Sequence, residues 1–189
     1  MSNFEDVLTR MFGHPRGVPG WLGGTIMAKV NRPYAAWMID LLELRETDRV
    51  CEVGFGPGVG IQLLARSAKY VAGIDSSPEM LRQAIARNAA AIDRGQVDLR
   101  LGSADCLPFE EQTFDRMLTI NSLQMWPDAA AGVAEMHRVM KPGARITFGF
   151  TAWSRQSCGG LKEKLIAAGF TAAKLAGTEG AFCVIAVRP

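Results

Sequence analysis

A run of closely spaced glycines directly after a short apolar stretch constrains this chain most. Residues 50–60 read VCEVGFGPGVG. A strand that passes through glycines into a helix brings its backbone close to a ligand, beside the first N–H groups of the helix. Asp75 ends the next apolar stretch, 21 residues after Gly54. A carboxylate there can accept hydrogen bonds from both hydroxyls of a ribose, so the pair predicts a nucleoside-containing cofactor.

From residue 49 onward, short apolar stretches alternate with helical patterns. The five candidate strands cover residues 50–53, 70–74, 97–101, 117–120 and 146–150, each separated from the next by room for a crossover helix. This order predicts an α/β fold with a doubly wound, Rossmann-like parallel sheet. Ser77 can cap one helix with Pro78 at its first position, and Pro127 opens another, which Lys141-Pro142-Gly143 ends.

The C-terminal part has a different pattern of apolar stretches and turn residues. Residues 172–175 and 182–187 are separated by the turn-forming residues 177–180. They predict an antiparallel hairpin that closes the sheet. The last strand is apolar on both faces, so we expect it inside the sheet and not at its edge.

The first 48 residues read as helices and linkers. Five apolar side chains follow helical spacing after Pro33: Tyr34, Trp37, Met38, Leu41 and Leu42. Residues 13–20 hold two prolines and three glycines, which predicts a loop or hinge. We therefore expect residues 1–48 to form a helical cap, in which residues 13–24 act as a lid, over a core of residues 49–189.

Composition narrows the function classes. The chain has 189 residues, the size of one domain, and 21 Lys and Arg against 19 Asp and Glu leave a net charge of +2. That charge gives no reason to expect nucleic acid as a partner. The four cysteines are scattered and form no metal-binding spacing, so we expect no metal and a reducing compartment. The start is acidic where a signal peptide would be basic, which favours a cytoplasmic location.

Two details bear on which nucleoside cofactor the glycine run binds. A dinucleotide fingerprint needs a small residue where this chain has Val59. Glu52 would repel a pyrophosphate, but it suits a ligand with an ammonium and a sulfonium group. An NAD(P)-dependent oxidoreductase therefore remains the weaker alternative.

Four motifs in order resemble those of the class I S-adenosylmethionine-dependent methyltransferases, from about residue 49 to the C-terminus. They read EVGFGPG at 52–58, GIDSSPEML at 73–81, GSADCLPF at 102–109 and RVMKPGA at 138–144. The sequence is most similar to the small methyltransferases that include the ubiquinone and menaquinone C-methyltransferases. The resemblance implies S-adenosylmethionine as cofactor and a seven-stranded sheet whose last hairpin supplies the antiparallel strand.

The resemblance also implies a set of cofactor-binding residues. Gly54, Gly56 and Gly58 would pack on the amino-acid end, Asp75 would hold the ribose, Ser103 and Ala104 would meet the adenine, and Asn121 would contact the methionine. The full set is Glu52, Gly54, Phe55, Gly56, Gly58, Asp75, Ser76, Met80, Ser103, Ala104, Asp105 and Asn121. Relatives often carry an acid in place of Ser103 and histidines after the fourth strand, so Asp105 becomes an alternative adenine partner and no histidine base is expected there.

The acceptor is expected to be a small molecule, and an apolar or lipid-like one suits the N-terminal segment. Candidate acceptor-binding residues are Gln124, Trp126, Tyr34, Trp37 and His14, and no residue is assigned as a catalytic base. An alternative places Trp21, Leu22, Ile26 and Met27 in a membrane interface instead of against the sheet. A cofactor-binding protein without catalysis is a further alternative.

Overall fold

The computed structural model describes the chain from residue 17 to residue 189, with side chains from residue 29 onward. Seven strands and five α-helices follow one another along these residues. They are α1 (Gly17–Asp40), β1 (Arg49–Val53), α2 (Val59–Leu64), β2 (Tyr70–Asp75), α3 (Pro78–Asp93), β3 (Val97–Leu101), β4 (Phe114–Ile120), α4 (Ala129–Val139), β5 (Met140–Thr151), α5 (Leu161–Ala167), β6 (Thr171–Thr178) and β7 (Ala181–Val187). Short 3-10 helices at Leu123–Met125 and Ala152–Ser154 follow β4 and β5.

The strands form one sheet in the order β3-β2-β1-β4-β5-β7-β6. All neighbours are parallel except β7, which pairs antiparallel with both β5 and β6. This arrangement confirms the predicted α/β class and the closing hairpin. As its apolar sequence predicted, β7 is an interior strand, and Val184 and Ala186 are fully buried.

Two apolar clusters cover the two faces of the sheet because neighbouring residues in a strand point to opposite sides. In β1, Cys51 packs into the cluster that holds Met136 and Phe170 of the C-terminal half. Val50 packs into the other cluster, with Met38 of α1 and Leu64 of α2. The sheet is therefore the shared wall of both clusters, which is the layering of a doubly wound fold.

The helix starts follow the sequence with one correction. The Ser77 hydroxyl accepts a hydrogen bond from the Met80 N–H, and Pro78 is the first residue of α3, as predicted. Asp128 caps α4 by accepting from the Ala131 N–H. Pro127 therefore precedes the cap and does not open the helix, because an Asp side chain can accept that bond and a proline cannot.

The N-terminal segment differs from the expectation. Helix α1 begins at Gly17 and continues through Pro33, so residues 17–24 are helical and do not form the predicted loop or lid. Residues 13–16 lie outside the described part. Extending an existing helix costs less than starting one, so a helix already packed on the sheet can continue into glycine-rich sequence. The side chains of Trp21, Leu22, Ile26 and Met27 are also outside the described ones.

Helix α1 packs closely on the sheet. Met38 of α1 and Leu42, in the turn that follows the helix, are fully buried. A Cβ atom on Gly149 of β5 would overlap the Met38 side chain, so the two elements touch at that point. Near the end of α1, the Arg116 guanidinium donates 2.8 Å to the Leu42 carbonyl, which fixes this segment to β4.

Two other connections were predicted differently. The link from β3 to β4, residues 102–113, contains turns and no helix, although room for one was expected. Strand β5 is longer than residues 146–150 and includes the Lys-Pro-Gly turn, with a shift in register against β4 between Phe114 and Arg116. Across residues 17–189, no helix is long and apolar enough to span a bilayer.

Candidate active site

A cavity of about 310 Å³ opens where β1, β2 and β4 end. Its walls come from the loops that follow these strands, from residues 102–104 after β3, and from Asn31 and Ala35 of α1. The carboxyl ends of parallel strands are where α/β sheets bind ligands. The predicted glycine run and Asp75 both lie on its wall.

The glycine loop is shaped by two close approaches. Gly54 has a left-handed backbone (φ 75°) and its N–H donates 2.7 Å to the Ile74 carbonyl of β2. A Cβ atom there would overlap the Ser122 side chain, so a glycine is needed for β1 and the β4 loop to meet. A Cβ atom at Gly56 (φ 54°) would meet nothing within 4 Å, so no neighbouring side chain covers the loop at this point.

Gly58 has a different position from the other two glycines. It does not line the cavity, and a Cβ there would overlap Ala84 and Asn88 of α3. The Asn88 amide donates 3.1 Å to the Gly58 carbonyl, and the Arg87 side chain donates 2.8 Å to the Pro57 carbonyl. Sequence reasoning missed Asn88 and Arg87, whose only signal was their placement on the helix after β2. Both side chains hold the glycine loop from the α3 side and do not line the cavity.

Asp75 is fixed by the loop that it faces. One carboxylate oxygen accepts 2.8 Å from the Gly56 N–H and the other accepts 2.8 Å from the Ser77 N–H. Burial raises the pKa of Asp75, and these two N–H groups oppose that rise. Each oxygen retains a further lone pair, so the carboxylate can also accept from two adjacent hydroxyls.

Glu52 is the most deeply buried carboxyl group on the wall, with 3% exposure. The Ile61 N–H, in the first turn of α2, donates to it, and a Cβ atom on Gly60 would overlap it. Its Oε2 atom has no hydrogen-bond partner among the described residues. Burial first, and then the charge of Asp75, raise the pKa of Glu52 well above its usual range.

Four side chains predicted for the adenine and ribose lie together beyond Asp75. Ser76, Met80, Ser103 and Ala104 all line the cavity. The Gly102 N–H donates 3.0 Å to the Asp75 carbonyl and fixes the position of this segment. Asp105 is exposed and does not line the cavity, because the chain turns outward after Ala104.

The residues after β4 form the opposite wall. Asn121 has a left-handed backbone (φ 54°), and its side chain exchanges two hydrogen bonds with Thr151 at the end of β5, 2.7 Å and 2.9 Å long. The Ser122 hydroxyl donates 3.1 Å to the Val53 carbonyl. Asn121 and Ser122 therefore tie the ends of β4, β5 and β1 together at the cavity.

The five predicted acceptor residues are not brought together. Trp126 lines the cavity and packs against Gly132 of α4. Gln124 is exposed and donates 2.8 Å to the Asn121 carbonyl. Tyr34 touches Gly180 in the β6–β7 turn and Trp37 packs with the apolar cluster of α1 and α2, both away from the cavity wall. His14 lies outside the described residues.

Three wall residues that sequence reasoning missed complete this side. Met125, Asn31 and Ala35 line the cavity with Trp126. Asn31 and Ala35 lie at helical spacing from Met38, on the same side of α1, but the sequence pattern did not single them out as cavity residues. In the stretch from residue 17 to residue 189, no cluster of potential metal ligands occurs.

Comparisons with known proteins agree with this geometry. A family model described as a methyltransferase domain matches residues 51–148. The uncharacterized methyltransferase YdaC of Bacillus subtilis is 32% identical over 126 residues, which cover 66% of this chain and 67% of YdaC. A demethylmenaquinone methyltransferase of Corynebacterium kroppenstedtii is 35% identical over 106 residues, which cover 56% of this chain and 43% of that protein.

A solved structure has the same fold. A SAM-dependent methyltransferase from Aquifex aeolicus superposes with a TM-score of 0.76 at 18% identity, over 88% of this chain and 98% of the other. With the family match, this places the chain in the methyltransferase-domain family, as a S-adenosylmethionine-dependent enzyme. The cavity fits that cofactor, since the loop at Gly56 is not covered by a neighbouring side chain and the buried Glu52 offers a carboxylate oxygen that has no hydrogen-bond partner among the described residues.

Proposed function

We propose that the chain transfers the methyl group of S-adenosylmethionine to a small apolar acceptor that supplies its own nucleophile. The composition of the cavity wall carries this proposal. Glu52 and Asp75 are the only titratable side chains among the described residues of the wall, and both lie at the glycine loop. The wall opposite them consists of Asn31 and apolar or neutral side chains.

The same proposal assigns the cofactor residues. Asp75 holds the ribose hydroxyls, and the loop at Gly54 and Gly56 receives the amino-acid end. Ser103 and Ala104 meet the adenine, which leaves the space near Asn121 for the reacting end. The supporting observation is that these residues line the cavity at the ends of neighbouring strands, with Ser103 and Ala104 after β3, Asp75 at β2, the glycines after β1 and Asn121 after β4. The division into an N-terminal cap and a core is part of this proposal, with α1 closing the acceptor side.

Methyl transfer from S-adenosylmethionine requires few catalytic side chains. S-adenosylmethionine supplies a methyl group already activated on a sulfonium. The chain must then hold the acceptor atom about 3 Å away and aligned, and exclude water. Trp126 and Ala35 cover the cavity from two sides and serve that exclusion. Without a base on this wall, the acceptor must lose its own proton easily, as a phenol or a quinol does, or arrive as a free amine.

An apolar quinol-type acceptor is favoured over an amine. Ile120, Met125, Trp126 and Pro127 make the acceptor side mainly apolar, and apolar pockets bind ligands chiefly by burying their apolar surface. The relative named demethylmenaquinone methyltransferase supports the same class of acceptor. Because this chain spans 43% of that relative, its substrate is a proposal for this chain.

The test uses methyl-labelled S-adenosylmethionine with a cell extract and the purified protein. The label is then partitioned between organic solvent, aqueous small molecules and precipitated macromolecules. We expect label in the organic phase, and less of it with the Asp75→Ala variant at a cofactor concentration that does not saturate it. Label confined to the aqueous phase or to macromolecules would overturn the apolar acceptor. Binding of S-adenosylhomocysteine without turnover on any fraction would instead identify a cofactor-binding protein.

A further inference from the structure

The buried carboxyl group of Glu52 lies in a setting that a structural role alone does not explain. It caps the start of α2 through the Ile61 N–H, yet its second oxygen has no partner among the described residues and lies on the cavity wall. A buried polar atom without a hydrogen bond costs about 1–3 kcal/mol unless a ligand satisfies it. The carboxyl group is therefore positioned for a ligand as well as for the helix.

The charges around Glu52 are all of one sign. Asp75 of β2 faces it across the loop, and Cys51 beside it is a buried thiol whose pKa burial raises, so it stays neutral. Neither α2 nor β4 presents a titratable side chain to it, and among the described residues it forms no ion pair. No cation of the described chain balances this carboxylate, so burial and the charge of Asp75 favour the protonated form of Glu52 until a cationic ligand is bound.

We propose that Glu52 makes the cofactor site select a cationic ligand over its neutral counterpart, releasing a proton to solvent when S-adenosylmethionine binds. This inference rests on the cofactor site proposed above. S-adenosylhomocysteine has lost the sulfonium charge with the methyl group, so Glu52 gains less by ionising beside it. After transfer the carboxyl group takes a proton back from solvent, which weakens retention of the product.

The test is isothermal titration calorimetry of the intact protein with both ligands. Wild-type binding enthalpies in buffers of different ionisation enthalpy give the number of protons released. We expect more protons released with S-adenosylmethionine than with S-adenosylhomocysteine. The ratio of their affinities should rise with pH, by at most about tenfold per pH unit for one linked proton. These wild-type measurements need no variant to fold.

Two variants separate Glu52 from the rest of the site. Glu52→Gln should make the affinity ratio nearly independent of pH, and the ammonium group common to both ligands cancels in this comparison. Asp75→Asn should weaken both ligands alike, since both carry the ribose, and keep a pH-dependent ratio, shifted to lower pH because the charge of Asp75 no longer raises the pKa of Glu52. Equal proton release for both ligands would overturn the inference. So would an affinity ratio that depends on pH in Glu52→Gln as it does in the wild type. Failure of both ligands to bind the wild type would instead overturn the proposed site.

Discussion

The two sides of the cavity are built differently. On the glycine-loop side, backbone groups hold each functional residue: two N–H groups fix Asp75, and Gly54 fits against Ser122 without space for a Cβ. On the acceptor side, Met125 is 42% exposed and the wall depends on side chains at loop ends. In the function proposed above, the first side binds the cofactor and is part of the fold. The second can change with little effect on the fold, so the proposal assigns the choice of substrate to it.

The largest effect is expected from a substitution on the glycine-loop side. Gly54→Ala places a Cβ on Ser122 at a left-handed φ of 75°. We expect a loss of about 1–3 kcal/mol of unfolding free energy from the overlap, in addition to about 1–2 kcal/mol from the backbone strain. Binding of S-adenosylhomocysteine should be lost. Denaturant unfolding and calorimetry measure the two effects.

Gly95→Ala is the matched control for this change. Gly95 has a similar left-handed φ of 69°, but a Cβ there meets nothing within 4 Å. Only the strain of about 1–2 kcal/mol should remain, and cofactor binding should be unchanged. Equal destabilisation by both variants would mean that the approach of Gly54 to Ser122 does not matter.

The next effect concerns the ribose. Asp75→Ala should weaken S-adenosylhomocysteine binding by about 1.5–3 kcal/mol, the range for hydrogen bonds to a charged group. The fold should lose little stability, because the Gly56 and Ser77 N–H groups lie at the partly open cavity and can turn to water. Calorimetry gives the affinity and thermal unfolding gives the stability. An unchanged affinity would remove Asp75 from the site.

The glycine-loop side could be read from the sequence because its chemistry is local. A strand, a run of glycines and an acid at the end of the next strand specify their own backbone geometry, and Gly54, Gly56 and Asp75 lie on the wall. The strand positions were predictable for the same reason, since each is a short apolar stretch. Gly58 matched the same motif, but it packs against α3 and does not line the cavity. The pattern alone does not distinguish a glycine on the cavity wall from one that packs against a helix.

The acceptor side could not be read in this way because it depends on contacts between distant segments. Asn31 of α1 and Met125 after β4 are far apart in the sequence, and no spacing in the sequence relates them. Tyr34 had the right residue type, but its packing on Gly180 became visible only when the hairpin was placed. The start of α1 was misjudged because glycine and proline were read as a loop, while packing farther along the helix supports it.

A smaller effect is expected from a substitution on the acceptor side. Met125→Ala should raise the KM of an apolar acceptor by about fivefold, as expected for about 1 kcal/mol of lost apolar contact. Affinity for S-adenosylhomocysteine should stay the same. Ile166→Ala is the control, because Ile166 is 56% exposed on α5 and does not line the cavity. Steady-state kinetics with the labelled cofactor measure both, and equal effects of the two changes would place the acceptor elsewhere.

The smallest effect lies outside both sides, at His137 of α4. Its ring meets Phe170 edge-on at 5.0 Å, and its Nε2 has no hydrogen-bond partner in the described part of the chain. Burial, and then the charge of Arg188, lower the pKa of His137 below 6.5. The unfolded chain therefore takes up this proton more readily than the folded chain does, and stability should fall as the pH drops through 6.5. Denaturant unfolding across this range should show that the unfolding free energy of His137→Gln falls less steeply with decreasing pH than that of the wild type. Cofactor affinity at neutral pH should be unchanged. Equal slopes for the two proteins would assign the acid sensitivity to other groups.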